Sequence, residues 1–186
     1  MSKILVDTID TRNGTTNLTI GSTNSSTVTF ESGAVTGHMS PAFAATSNGT
    51  TTLTASTWTK VSIGTEIFDS NSDYDASTSR FTPTKAGKYF IYGEAFANSA
   101  NVGELREVYL AIYVNGSIHT MLHESNLNNA YDEYRRTATG STVVDANGSS
   151  DYYELDVNVQ NTSGSPQVTG AGQRGIRFGA YRIIGA

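Results

Sequence analysis

Two runs of this chain, KYFIYGEAFA (Lys88 to Ala97) and EVYLAIYVNG (Glu107 to Gly116), alternate with a period of two and are apolar on both sides. That period belongs to a β-strand. In the first run Tyr89, Ile91, Gly93 and Ala95 share one face, and Phe90, Tyr92, Glu94 and Phe96 the other. In the second, Val108, Leu110, Ile112 and Val114 oppose Tyr109, Ala111 and Tyr113. A strand of an antiparallel sheet commonly keeps one side wet. These two need a second cover, and no sustained 3.6-residue periodicity offers a helix to supply it. The expected cover is another subunit, which makes Phe90, Tyr92, Phe96, Tyr109 and Tyr113 candidate interface residues. In YYELDVNVQ, by contrast, Tyr153, Leu155, Val157 and Val159 share a face while Glu154, Asp156 and Asn158 share the other, which predicts one wet side.

Further strand-like runs follow at intervals of ten to fifteen residues, the spacing of a sandwich or jelly roll. They are Ala42–Ala45, Trp58–Ile67, Gly87–Asn98, Glu107–Val114, Ile118–Leu122, Ser141–Val144, Tyr153–Asn161 and Gly175–Ile184. VNGS (Val114 to Ser117) is a hairpin signal, because Asn-Gly accepts the positive φ angles of a tight turn. The 18 glycines, abundant Ser, Thr and Asn, and only 16% charged residues fit an all-β chain with many short loops.

The net charge of -5 argues against nucleic acid, which needs clustered Lys and Arg. With no cysteine there is neither a disulfide nor a thiolate metal site. No apolar run reaches the length of a membrane span, so no membrane insertion is expected, and MSKILVDTID lacks the apolar stretch of a signal peptide. A product of a reducing cytoplasm is the expectation.

Residues 1–40 differ from the rest. LTIG and VTFES are short strand-like runs, and Val6, Ile9, Leu18, Ile20, Val28 and Phe30 are nearly all the large apolar residues there. So few cannot offset the ordering entropy of forty residues on their own. Either this is a flexible tail, or it folds by pairing with copies of itself or with another protein. The regular spacing favours the second, and those six residues are its candidate docking residues. Residues 41–186 form the main domain.

Motifs that would carry chemistry do not hold up. GAGQRG (Gly170 to Gly175) has the glycine spacing of a dinucleotide loop, but the residues after it read as a strand rather than a helix. In HTMLHE, His119 and His123 lie on an extended run, which would set them ~13 Å apart, too far to share one metal. Asp69, Asp73 and Asp75 offer oxygens for calcium or form a solvated acidic turn. A glycan-degrading site needs two carboxylates about 5–10 Å apart. Glu104 with Glu107, or Asp132 with Glu133, are available, but nothing separates them from surface charge. No nucleophile–base–acid set is present. An enzyme is not expected, and neither a cofactor nor a metal is assigned.

The stretch YDASTSRFTPTKAGKYFIY resembles the signature of the complement C1q globular domain family. Asp73, Tyr74, Asp75, Thr78, Phe81, Pro83, Gly87, Tyr89 and Ile91 occupy its places, with Ser79 for the usual Gly and Ile91 for the second aromatic. PAFAA, KVSIGTEIFDS, YLAIYVNGS, TATGSTVV with YELDVNVQN, and RFGAYRII are similar to the family's strands in the same order, from Pro41 to Ile184. The resemblance implies a ten-strand jelly roll of the tumour-necrosis-factor type, assembled as a homotrimer. It gives Tyr74, Asp75, Phe81, Pro83, Gly87 and Tyr89 a structural role. SKILVDTIDTRNGTTNLTIGSTNSSTVTF resembles the start of bacteriophage virion proteins, especially the tail-fibre and appendage proteins of phages that infect cyanobacteria. Together these resemblances imply a trimeric, non-enzymatic protein on the virion exterior, made in the bacterial cytoplasm. Residues 1–40 would meet other virion proteins, and the head would face outward toward host surface glycans. The alternative role is capsid decoration or cement.

Overall fold

The computed structural model describes residues 40–126, 133–171 and 175–183. The chain divides into two units, Met1–Thr36 and Gly37–Ala186. The proposed docking residues Val6, Ile9, Leu18, Ile20, Val28 and Phe30 lie outside the described residues, as does Asp132.

Among the described residues there are thirteen strands and no helix. They are β1 (Ala42–Thr46), β2 (Thr50–Thr52), β3 (Thr59–Lys60), β4 (Thr65–Asp69), β5 (Tyr74–Asp75), β6 (Arg80–Phe81), β7 (Gly87–Asn98), β8 (Leu105–Val114), β9 (Ser117–Asn126), β10 (Arg135–Ala146), β11 (Tyr153–Asn161), β12 (Gln167–Thr169) and β13 (Arg177–Arg182). Five of these segments have only two or three residues, so the count exceeds the ten strands expected.

All pairings are antiparallel, in two sheets. The first runs β2-β12-β7-β13-β1-β4, with β10 on the free side of β7. The second runs β5-β6-β11-β8-β9, with β3 also on β11. The β8–β9 hairpin turns at Asn115 and Gly116, both at positive φ (52° and 80°), as the Asn-Gly pair predicts.

The core lies between the sheets. One set of alternate residues from each long strand fills it: Tyr89 and Ile91 from β7, Leu110 and Ile112 from β8, Leu155 and Val157 from β11. Gly93 faces inward too, and a β-carbon there would stand 2.3 Å from Leu155 Cδ1. The absent side chain is what lets the two sheets close at this point.

The residues of the C1q-like stretch pack one end of this core. Phe43 stacks on Tyr74 (4.6 Å between centroids) and on Phe81 (4.5 Å), and Phe81 meets Tyr89 edge to face. The Tyr74 hydroxyl donates to the Ile63 carbonyl at 2.6 Å, and that of Tyr89 to the Lys85 carbonyl at 2.8 Å. Asp75 accepts from the backbone and side chain of Ser77 and from Thr78, closing the turn between β5 and β6. Those bonds favour its charged form and hold its pKa down at about 2. Pro83 is buried between β6 and β7, and Gly87 opens β7 at φ 142°. Ser79, where the family has glycine, sits at φ 56°, and its Oγ accepts the Ile63 amide at 2.8 Å.

Two expectations are corrected. The run Trp58–Ile67 is not one strand. Val61 and Ile63 alternate inward like a strand, but the Ile63 amide bonds to a side chain, so the ladder is broken between β3 and β4. Nor does β11 have a wet side. Glu154 and Asp156 are only 6% and 7% exposed, flanked by Tyr113 and Ala111 of β8 and, at Asp156, by Lys60 of β3.

Candidate assembly and ligand surfaces

The five candidate interface residues divide between the two outer faces of the sandwich. Phe90, Tyr92 and Phe96 project from β7 away from the core, on the outside of the first sheet. In register beside them stand Val143 of β10 and Tyr181 of β13. Tyr181 stacks on Phe90 at 5.2 Å. Across β1, which sets the small Ala42 and Ala44 in this row, the strip continues to Phe68 on the edge strand β4. Phe68 is 50% exposed and Val143 47%, so an apolar strip crosses the sheet from one edge to the other. Its main charged interruption is Glu94, held by Arg177 on β13 at 3.1 Å. The strip persists because β1 and β13 contribute small residues opposite large ones.

Tyr109 and Tyr113 lie on the outside of the second sheet, where a residue of the same chain packs against them. Trp58, from the segment entering β3, approaches both rings, at 6.3 Å from Tyr109 and 5.8 Å from Tyr113. Ala111, between the tyrosines and on the same outward face, has no exposed surface. Trp58 thus packs beside these two tyrosines from within the chain, and all three rings stay partly exposed.

Next to this aromatic group, β11 sets Glu154 opposite Tyr113, Asp156 opposite Ala111 and Asn158 opposite Tyr109. Glu154 accepts from Lys60 at 3.1 Å and from Arg80 at 2.8 Å. Asp156 has no such partner. Burial, and then the neighbouring Glu154 charge, push its pKa up to about 7, against the pull of Lys60. Its Oδ1 and that of Asn158 are enclosed and accept no hydrogen bond. Tyr109 donates to Glu107 Oε2 at 2.5 Å, which raises its pKa to about 12.

Other candidates are not brought together. Asp69 accepts the amides of Asn71 and Tyr74, and Asp73 those of Asn71 Nδ2 and Thr84, while Asp75 closes its own turn. Each carboxylate is engaged in local structure. Among the described residues no group of three His, Asp or Glu side chains is placed to hold a metal ion. His119 is exposed on the extended β9, whereas desolvation lowers the pKa of the partly buried His123. Glu104 accepts from Asn101 and Ser163, and Glu107 from Tyr109 and Asn126. After the GAGQRG stretch comes β13, a strand rather than a phosphate-binding helix.

Sequence reasoning missed Trp58, Asp156 and Asn158 on one face and Phe68, Val143 and Tyr181 on the other. The single tryptophan of the chain was the available signal for the first group.

No protein-family model matches the chain, and no curated protein matches it. Solved structures do. The TNF protein Eiger from S. frugiperda superposes with a TM-score of 0.52 at 11% identity, covering 78% of this chain and 93% of that one. Murine APRIL at pH 5.0 gives 0.52 at 8% identity, covering 76% and 98%. The globular domain of zebrafish complement 1qA protein gives 0.49 at 16% identity, covering 78% and 98%. At these identities the two likenesses at 0.52 speak of the fold alone, a jelly roll of the TNF type.

Proposed function

We propose that this chain is a non-catalytic structural protein of a bacteriophage virion. It assembles as a homotrimer through the outer face of the first sheet, and residues 1–40 dock it on the particle. The observation that carries the assembly reading is the apolar strip from Phe68 through Tyr181, Phe90 and Tyr92 to Val143. A large apolar side chain fully removed from water contributes about 1.5–3 kcal/mol, so a strip of several rings is worth sharing between copies. It spans the sheet between two different edges, β4 and β10. That suits a heterologous contact, in which one patch meets another on the next copy and the ring closes. The C1q/TNF-like fold supports closure at three.

The virion reading draws its support from the resemblance of residues 2–30 to phage fibre and appendage proteins. The jelly roll then forms the outward head, available to host surface glycans, and the fibre or appendage role is preferred to capsid decoration. Imaging of intact particles carrying a labelled copy tests this. Label on the tail or its appendages supports the fibre role, and label spread over the capsid supports decoration instead. No particle-associated label overturns the virion reading. Removal of residues 1–40 is expected to abolish incorporation and leave the trimeric head folded.

A further inference from the structure

We propose that the outer face of the second sheet, centred on Trp58, Tyr109 and Tyr113, binds a neutral saccharide. The Trp58 ring lies 6.3 Å from that of Tyr109 and 5.8 Å from that of Tyr113, tilted by 54° and 56°, and the two tyrosines flank the fully buried Ala111 on the same strand face, so the three rings form an aromatic platform. All three stay partly exposed. At the edge of this platform are two acceptors with no partner, Asp156 Oδ1 and Asn158 Oδ1. Asp156 is 7% exposed, and leaving such a group unbonded is costly enough that a partner is expected.

The chemistry of the face selects what that partner is. Its cations are already committed, since both Lys60 and Arg80 bond Glu154. What remains are acceptors and aromatic carbon. An anion would meet Glu107, Glu124 and Glu154. A neutral ligand with hydroxyl donors on its rim and a C–H face avoids that repulsion and matches both the acceptors and the aromatic carbon, and a pyranose is such a ligand. It stacks its C–H face on the rings and donates hydroxyls to Asp156 and Asn158 at their edge. Those oxygens are enclosed, so side chains of this face must shift for a hydroxyl to reach them. The site lies within one chain and rests on the virion reading only for the origin of the sugar.

Trp58 is the only tryptophan, so its emission reports on this face alone. The full-length protein is titrated with neutral oligosaccharides of glucose, mannose, galactose and N-acetylglucosamine in α and β linkages. The expected result is a saturable emission change with at least one of them. It should weaken at least tenfold in Tyr109→Ala and in Asp156→Ala, which removes the acceptor, and persist in Phe90→Ala on the opposite face. Sedimentation of the same samples keeps loss of assembly distinct from loss of binding. Absence of any saturable change across the panel overturns the proposal. So does a response that survives in the Tyr109→Ala/Tyr113→Ala variant.

Discussion

The ring of Tyr92 lies across Gly179, its direct opposite in the β7–β13 register, so closely that a β-carbon at 179 would stand 2.3 Å from the tyrosine hydroxyl. The glycine allows Tyr92 to lie flat, and its ring extends the apolar strip instead of standing out from it. Gly179→Ala should therefore push the ring outward. The half-buried ring can swing away, so the chain should keep its fold, with stability changed by less than ~1 kcal/mol in denaturant melts. Assembly should weaken, read as a dissociation midpoint shifted to higher protein concentration.

Gly93 makes a different contact, toward the core. A β-carbon there would stand 2.3 Å from Leu155 Cδ1, and Leu155 is 1% exposed, so it has no open space to enter. Gly93→Ala should destabilise the head by about 1–3 kcal/mol through overpacking. Combining it with Leu155→Ala should cost less than the sum of the two single changes, by at least ~0.5 kcal/mol in a double-mutant cycle. Strict additivity would mean that the two residues do not meet.

Ser79 combines a left-handed backbone (φ 56°) with a buried bond from the Ile63 amide. Ser79→Ala loses the bond and keeps the unfavourable backbone, and should cost about 1–3 kcal/mol. Ser79→Gly loses the same bond but accepts the backbone freely, so it should be more stable than the alanine variant by about 1 kcal/mol. Urea melts of the two variants decide the order.

Asp156 makes stability depend on pH. Its folded pKa of about 7 stands above the ordinary 3.8, so between these values the folded chain holds a proton that the unfolded chain releases. Stability from this group is full below pH 3.8 and is lost as pH rises through 7. Asp156→Asn removes the dependence. It should match the wild type near pH 4 and exceed it at pH 8, by up to ~4 kcal/mol at 1.36 kcal/mol per pKa unit. Equal stability of the two proteins at pH 8 would contradict the buried, unpaired carboxyl.

The long strands were legible wherever alternation ran unbroken, and β7 and β11 have the ends read from the sequence, at Gly87–Asn98 and Tyr153–Asn161. β10 runs well beyond the expected Ser141–Val144, because its polar Thr and Ser residues are held by the ladder to β7 rather than by burial. The break between β3 and β4 was hidden because Val61 and Ile63 keep strand-like alternation without the ladder. The aromatic candidates were found, but not their division between two faces. That depends on the sheet to which each strand belongs, which alternation within a strand does not encode. The burial of Asp156 was invisible for a similar reason. Its neighbour across the β3–β11 ladder is Lys60, almost a hundred residues upstream, where no local pattern points to it.

Sedimentation equilibrium of the full-length protein beside its Phe90→Asp/Tyr92→Asp and Tyr109→Asp variants tests the assembly claim most directly. The wild type and Tyr109→Asp should weigh about 59 kDa, three times the 19.8 kDa chain, and the double variant should fall to one chain while its far-ultraviolet circular dichroism stays unchanged. A wild type that sediments as a single chain, or a double variant that still sediments as three, would contradict it.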